Sequence, residues 1–165
     1  MHQANCIRDL AAALAFAALS TTVPAQTAVT FKSTCQDVGM SGREALSDRE
    51  GHAITVGQYS CKNEGGVEDG SLMSGMVIWD WDKTSAVMQA GNGVIRKSGA
   101  FAVYQNSEGR VSLTITDGKV TGLTGTAKGV YKTATGGMAS LAGKSFTSTF
   151  KSIGGGQFVI EATVE

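Results

Sequence analysis

The sequence predicts an all-β protein, a closed antiparallel β-barrel of about eight strands, with a β-sandwich as the alternative. Three observations carry that prediction. Composition is the first: all 22 glycines fall after residue 25, the single proline, Pro24, falls before it, and Thr, Ser and Val are abundant beyond it. Short strands joined by tight turns use these residues. The second is alternation with a period of two, as in Val111, Leu113 and Ile115 against Arg110, Ser112, Thr114 and Thr116, or Phe158, Ile160, Ala162 and Val164 against Val159, Glu161, Thr163 and Glu165. This is the pattern of half-buried antiparallel strands. Turn chemistry is the third: Asn92-Gly93, Glu108-Gly109 and Asp117-Gly118 stand between such segments, where hairpin turns call for positive φ. The last strand stays amphipathic to the terminus, which suits a closed barrel better than an open sheet with exposed edges.

Residues 1–25 precede the fold. Arg8 stands ahead of the apolar run Leu10 to Leu19, and small residues at Val23 and Ala25 suit cleavage before Gln26. This is the pattern of a secretory signal peptide. The run is about half the roughly 20 residues that span a bilayer, so no membrane span is expected after cleavage. The protein is expected to be periplasmic or secreted, with residues 26–165 as a single barrel domain. Strands are expected near residues 28–33, 52–62, 71–81, 84–90, 93–105, 110–116, 119–131, 144–151 and 157–164. One segment, "SGREALSDRE" at residues 41–50, reads as a helix or a loop. Within 119–131, Gly122, Gly125 and Gly129 interrupt one long strand, marking bends, bulges or the close approach of a neighbour.

Cleavage removes one cation, Arg8, and one anion, Asp9, from a chain with 14 of each, so the mature protein stays neutral. Neutrality gives no electrostatic reason to expect nucleic acid or an anionic membrane as partner. Two cysteines remain, Cys35 and Cys61. In an oxidising compartment they are expected to form a disulfide contributing roughly 3 kcal/mol, two free buried thiols being the alternative. His52 is the only histidine past the signal, and no Cys/His cluster has zinc spacing. Neither a metal nor another cofactor is expected.

The segment "GVYKTATGGMASLAGKSFTSTF", residues 129–150, followed by "GGGQFVIEATVE", resembles the closing strands of the allene oxide cyclase and dirigent barrels. Gly137 to Gly143 is similar to their G-x-F-x-x-x-x-G segment, with Met138 in place of Phe, and "GSLMSGMVIWDWDKT" has the rhythm of a dirigent strand ending in aspartates. The resemblance covers residues 52–165 and rests on glycine and apolar spacing. It implies an eight-stranded barrel with an apolar cavity that steers a reactive intermediate to one stereochemical outcome, and it leaves homo-oligomerisation open. Fold alone does not fix function.

Candidate chemistry narrows quickly. A serine or cysteine nucleophile needs a base within reach, and there is one histidine and no G-x-S-x-G elbow. The glycine clusters Gly65-Gly66 and Gly154-Gly155-Gly156 lack the lysine and helix of a P-loop and read as turns. In "WDWD", Asp80 and Asp82 share one face of a strand, about 7 Å apart, and Trp79 and Trp81 share the other. Asp80 is the candidate catalytic carboxyl, against the reading of both aspartates as turn residues; Asp82-Lys83-Thr84 looks like a tight turn. Trp79, Tyr59, Tyr104, Phe101 and Met88 are the candidate ligand-binding residues, with Tyr131 a further source of a hydroxyl. Three readings remain: a carrier of a small, largely apolar molecule; a dirigent- or cyclase-like isomerase; and a structural or partner-binding module with a filled core. A cavity with converging polar groups separates the first two from the third. An inward carboxyl with a raised pKa favours the enzyme.

Overall fold

The computed structural model describes residues 29–40 and 42–165. The signal peptide expected over residues 1–25 lies outside them, as do its cleavage site and Cys6. Eight long strands build the molecule: β1 (Val29–Met40), β3 (His52–Glu64), β4 (Leu72–Asp82), β5 (Ser85–Lys97), β6 (Ala100–Thr116), β7 (Lys119–Gly136), β8 (Ser145–Gly154) and β9 (Gln157–Val164). A two-residue strand, β2 (Glu44–Ala45), lies against the edge of β3. The sheet runs β1-β9-β8-β7-β6-β5-β4-β3-β2, and β1 also pairs with β3, which closes an eight-stranded antiparallel barrel. The expected barrel is therefore the observed one, and the sandwich is excluded.

Two local turn expectations fail, and the helix-or-loop reading of residues 41–50 is decided against the helix over the described residues 42–50. No helix forms over residues 42–50, which hold β2 and turns. The reason is that Ala45 and Leu46 are its only apolar residues, too few for a helical stripe. Asn92-Gly93 is not a turn, because β5 runs straight through it and turns at Ser98-Gly99; nor is Glu108-Gly109, which lies within β6. Only Asp117-Gly118 acts as the signal suggests, with both residues at positive φ.

Within the strands, glycine at positions 93, 122, 125 and 129 serves space rather than turning. A Cβ on Gly93 would lie 2.3 Å from Tyr104 Oη, and one on Gly125 would lie 2.2 Å from Phe150 Cζ. Gly129 is likewise covered by the Phe146 ring and Gly122 by the Ser152 hydroxyl. The β7 glycines thus form a track that receives side chains of β8 lying inside the barrel.

Inward residues fill the two ends of the barrel separately. One end packs Ile95, Ala102, Met138, Leu141 and Phe146 around a disulfide between Cys35 and Cys61, which face each other directly across β1 and β3. The other packs Trp79, Trp81, Ala53, Ala86 and Val111. A lumen remains between them.

Candidate functional site

One transverse row of the barrel makes the site. Register pairs Asp37 on β1 with Tyr59 on β3, then Gly75, Gly93, Tyr104 and Tyr131 on the successive strands β4 to β7. Paired residues project to the same face of a sheet, so all six turn inward. The glycines leave no side chain between the tyrosines. Both rings lie over that gap, and their hydroxyls meet at 2.8 Å. A hydroxyl pair of this kind uses one proton internally and leaves the other to donate elsewhere. Burial raises the pKa of both hydroxyls, so neither ionises under ordinary conditions.

Beside them lies a cavity of about 110 Å³. Its walls include Met73, Met88, Ile95, Asn106 and Ser148, and every phenylalanine and tyrosine among residues 29–165 except Phe101. Among the described residues, Asp37 is the only carboxylate on that wall. It is partly buried, and desolvation pushes its pKa above the usual carboxylate value. Among the described residues nothing donates a hydrogen bond to the carboxyl or pairs with it. Its backbone N–H donates to Gly156 O at 2.9 Å, which ties β1 to the glycine turn between β8 and β9.

Behind Tyr131 the lumen is sealed by a polar network. The turn Gly66–Glu68 brings Glu68 inside, where Tyr131 Oη donates to Oε1 at 2.5 Å and Asn63 Nδ2 donates to Oε2 at 2.8 Å. Asn63 also receives Ser33 Oγ on its oxygen at 2.7 Å and donates to Ser71 Oγ at 3.0 Å. Burial pushes the Glu68 carboxyl up to about 7. Lys97 closes over this turn, donating from Nζ to Val67 O at 2.6 Å.

The outer wall carries a second cluster. His52 donates or accepts at both ring nitrogens, with Asp48 on Nδ1 and Asp80 on Nε2, the latter at 2.9 Å. Arg49 joins Asp48 at 3.2 Å and Asp80 at 3.8 Å, and Gln89 Nε2 donates to Asp80 at 3.2 Å. The hydrogen bond to Asp48, reinforced by Asp80, raises the His52 pKa, and the same contact lowers that of Asp48. An imidazole flanked by two carboxylates holds its protons and makes a poor base. A surface depression of about 920 Å³ lies outside β1 and β6–β9 over threonines and a Lys128–Glu108 pair at 3.3 Å. It is broad and open, with charges of both signs and no convergent set, so the aromatic-walled lumen is the better candidate site.

Expected residues divide accordingly. Tyr59, Tyr104 and Met88 line the lumen. Trp79 faces inward but packs against Phe150, ring centroids 6.0 Å apart, in the core beyond the cavity. Phe101 stands outside with the Arg96 guanidinium 5.7 Å from its ring, one position out of phase with Ala100, Ala102 and Tyr104. Asp80 also points outward, as its alternation with Trp79 and Trp81 requires, so it cannot act in the lumen. The carboxyl on the cavity wall, Asp37, escapes the sequence reading because the first strand was expected to end at residue 33. The signal for it is Cys35: once the disulfide puts Cys35 inside, period two puts Phe31, Ser33 and Asp37 there too. No family model matches the chain, and no curated protein is significantly similar to it.

Proposed function

We propose that this is an exported barrel protein whose lumen binds one small, largely apolar molecule. A single observation carries the reading: an aromatic-walled cavity into which an unpartnered carboxyl and a tyrosine hydroxyl pair converge. Apolar walls with a few fixed polar groups are the general form of small-molecule sites. The size is restrictive, since about 110 Å³ falls short of the roughly 150 Å³ that holds benzene, so a ring-sized ligand leaves part of itself in the open mouth of the cavity. The disulfide supports export, because such bonds persist in oxidising compartments. Titration of the protein with toluene and benzyl alcohol, followed through the methyl resonances of Met73 and Met88, tests the reading. Saturable shifts at both methyls are expected. Unchanged methyls would overturn it in favour of a structural module with a filled core.

Asp37 also favours a second reading, a cyclase- or dirigent-like isomerase. A desolvated carboxyl with a raised pKa can exchange a proton with a bound intermediate, and the neighbouring hydroxyls can stabilise developing charge. Native mass spectrometry of protein from its own source separates the two: a carrier retains its ligand, whereas an isomerase releases its product.

A further inference from the structure

We propose that the lumen recognises a small organic cation, a protonated amine whose ammonium pairs with Asp37 while its carbon body lies among the aromatic rings. The proposal rests on the lumen-binding reading above and names the ligand class for that site.

Charge on the lumen wall is one-sided. Among the described residues, Asp37 is its only ionisable residue apart from the tyrosines, and no lysine, arginine or histidine of these lines the cavity. Glu68 lies behind Tyr131 with both oxygens engaged, so it neither compensates nor competes. A partly buried carboxylate without a partner bears part of the cost of taking a charge out of water. A neutral ligand leaves that cost in place, an anion increases it, and a cation removes it. The walls agree with this choice: Phe31, Tyr59, Phe146, Phe150 and Phe158 surround the cavity, and ring faces attract cations. Tyr59 pairs with Asp37 in register on β3, Phe158 on β9 pairs with Cys35 two residues earlier on β1, and the two rings meet edge to face with centroids 5.6 Å apart. Carboxylate and ring are thus presented together, as ammonium recognition requires. Asn106 Oδ1 and the tyrosine oxygens supply further acceptors for the ammonium protons.

The test compares two probes of one shape on the full chain: benzylamine, an ammonium at neutral pH, and benzyl alcohol, its neutral counterpart. Affinity is read from the Met73 and Met88 methyl shifts. Benzylamine is expected to bind at least about tenfold tighter, and Asp37→Asn should erase that preference. The wild-type comparison stands without the variant, and benzyl alcohol binding by D37N reports that the barrel is intact. Equal affinities in the wild type, or a preference that survives D37N, would overturn the proposal and leave lumen binding standing. Failure of both probes to bind would overturn both.

Discussion

Glu68 is the buried residue with most influence on how the fold responds to pH. It is 1% exposed and hydrogen-bonded at both oxygens, and its folded pKa of about 7 lies above the ordinary 4.5. Between those values the folded state keeps a proton that the unfolded chain releases. Stability attributable to this group therefore falls as pH rises from about 4.5 to about 7 and is level on either side. The gap corresponds to roughly 3 kcal/mol. Urea unfolding across that range should show the decline, and Glu68→Gln should flatten it; an unchanged slope in E68Q would place the titration elsewhere. Asp37 differs in having no partner to lose. Its carboxyl is desolvated without compensation, so Asp37→Asn should keep or raise the melting temperature at neutral pH. A fall of more than a few degrees would show that the carboxylate is structurally paired.

At the scale of elements, the β2 segment is held by clasps rather than by burial. Arg43 donates to Lys83 O at 2.9 Å and to Gly51 O at 3.3 Å, and its guanidinium lies 5.1 Å from the Trp81 ring. His52 adds a proton-dependent clasp through Asp48 and Asp80. Because its folded pKa is raised, that contribution is fully present below about 6.5 and is lost as pH rises through the folded value. Hydrogen exchange over residues 42–51, corrected for the intrinsic rate, should therefore accelerate above neutrality in the wild type and be pH-independent in His52→Asn. The strands obey a different constraint. Alanine at Gly125 would meet Phe150 Cζ at 2.2 Å and Arg110 O at 2.4 Å, and a backbone oxygen cannot swing away. Gly125→Ala should cost about 1–3 kcal/mol by chemical denaturation, with partial rescue by Phe150→Leu. The same geometry explains what the sequence conceals. Alternation is local, so the strands and the opposite faces of Trp79 and Asp80 are legible. Asn92-Gly93 carries a local turn signal too, but a ring from the next strand, Tyr104, decides its role. Asp37 is hidden in the same way, since only the pairing of Cys35 with Cys61 reveals which face of β1 turns inward.

Across the whole molecule, one seam determines whether the lumen exists. Seven of the eight barrel pairings join strands in an unbroken run from β3 through β9 to β1, and the β1–β3 pairing converts that open sheet into a cylinder. Cys35 and Cys61 sit opposite each other in the seam, 26 residues apart in sequence. Asp37 and Tyr59 follow two residues further along the same two strands, so the covalent staple and the site share one register. Closing a loop of that length is worth roughly 3 kcal/mol, mainly by restricting the unfolded chain. Replacing both cysteines with alanine should lower the urea midpoint by an equivalent amount. If the staple only restricts the unfolded chain, the folded C35A/C61A protein should keep the Met73 and Met88 methyl shifts and wild-type probe affinity. If it also holds the seam in register, affinity should fall at urea concentrations far below the unfolding midpoint, because a one-residue slip turns Asp37 outward. Probe titration in dilute urea decides between the two, with loss of binding ahead of unfolding assigning the disulfide a part in shaping the lumen.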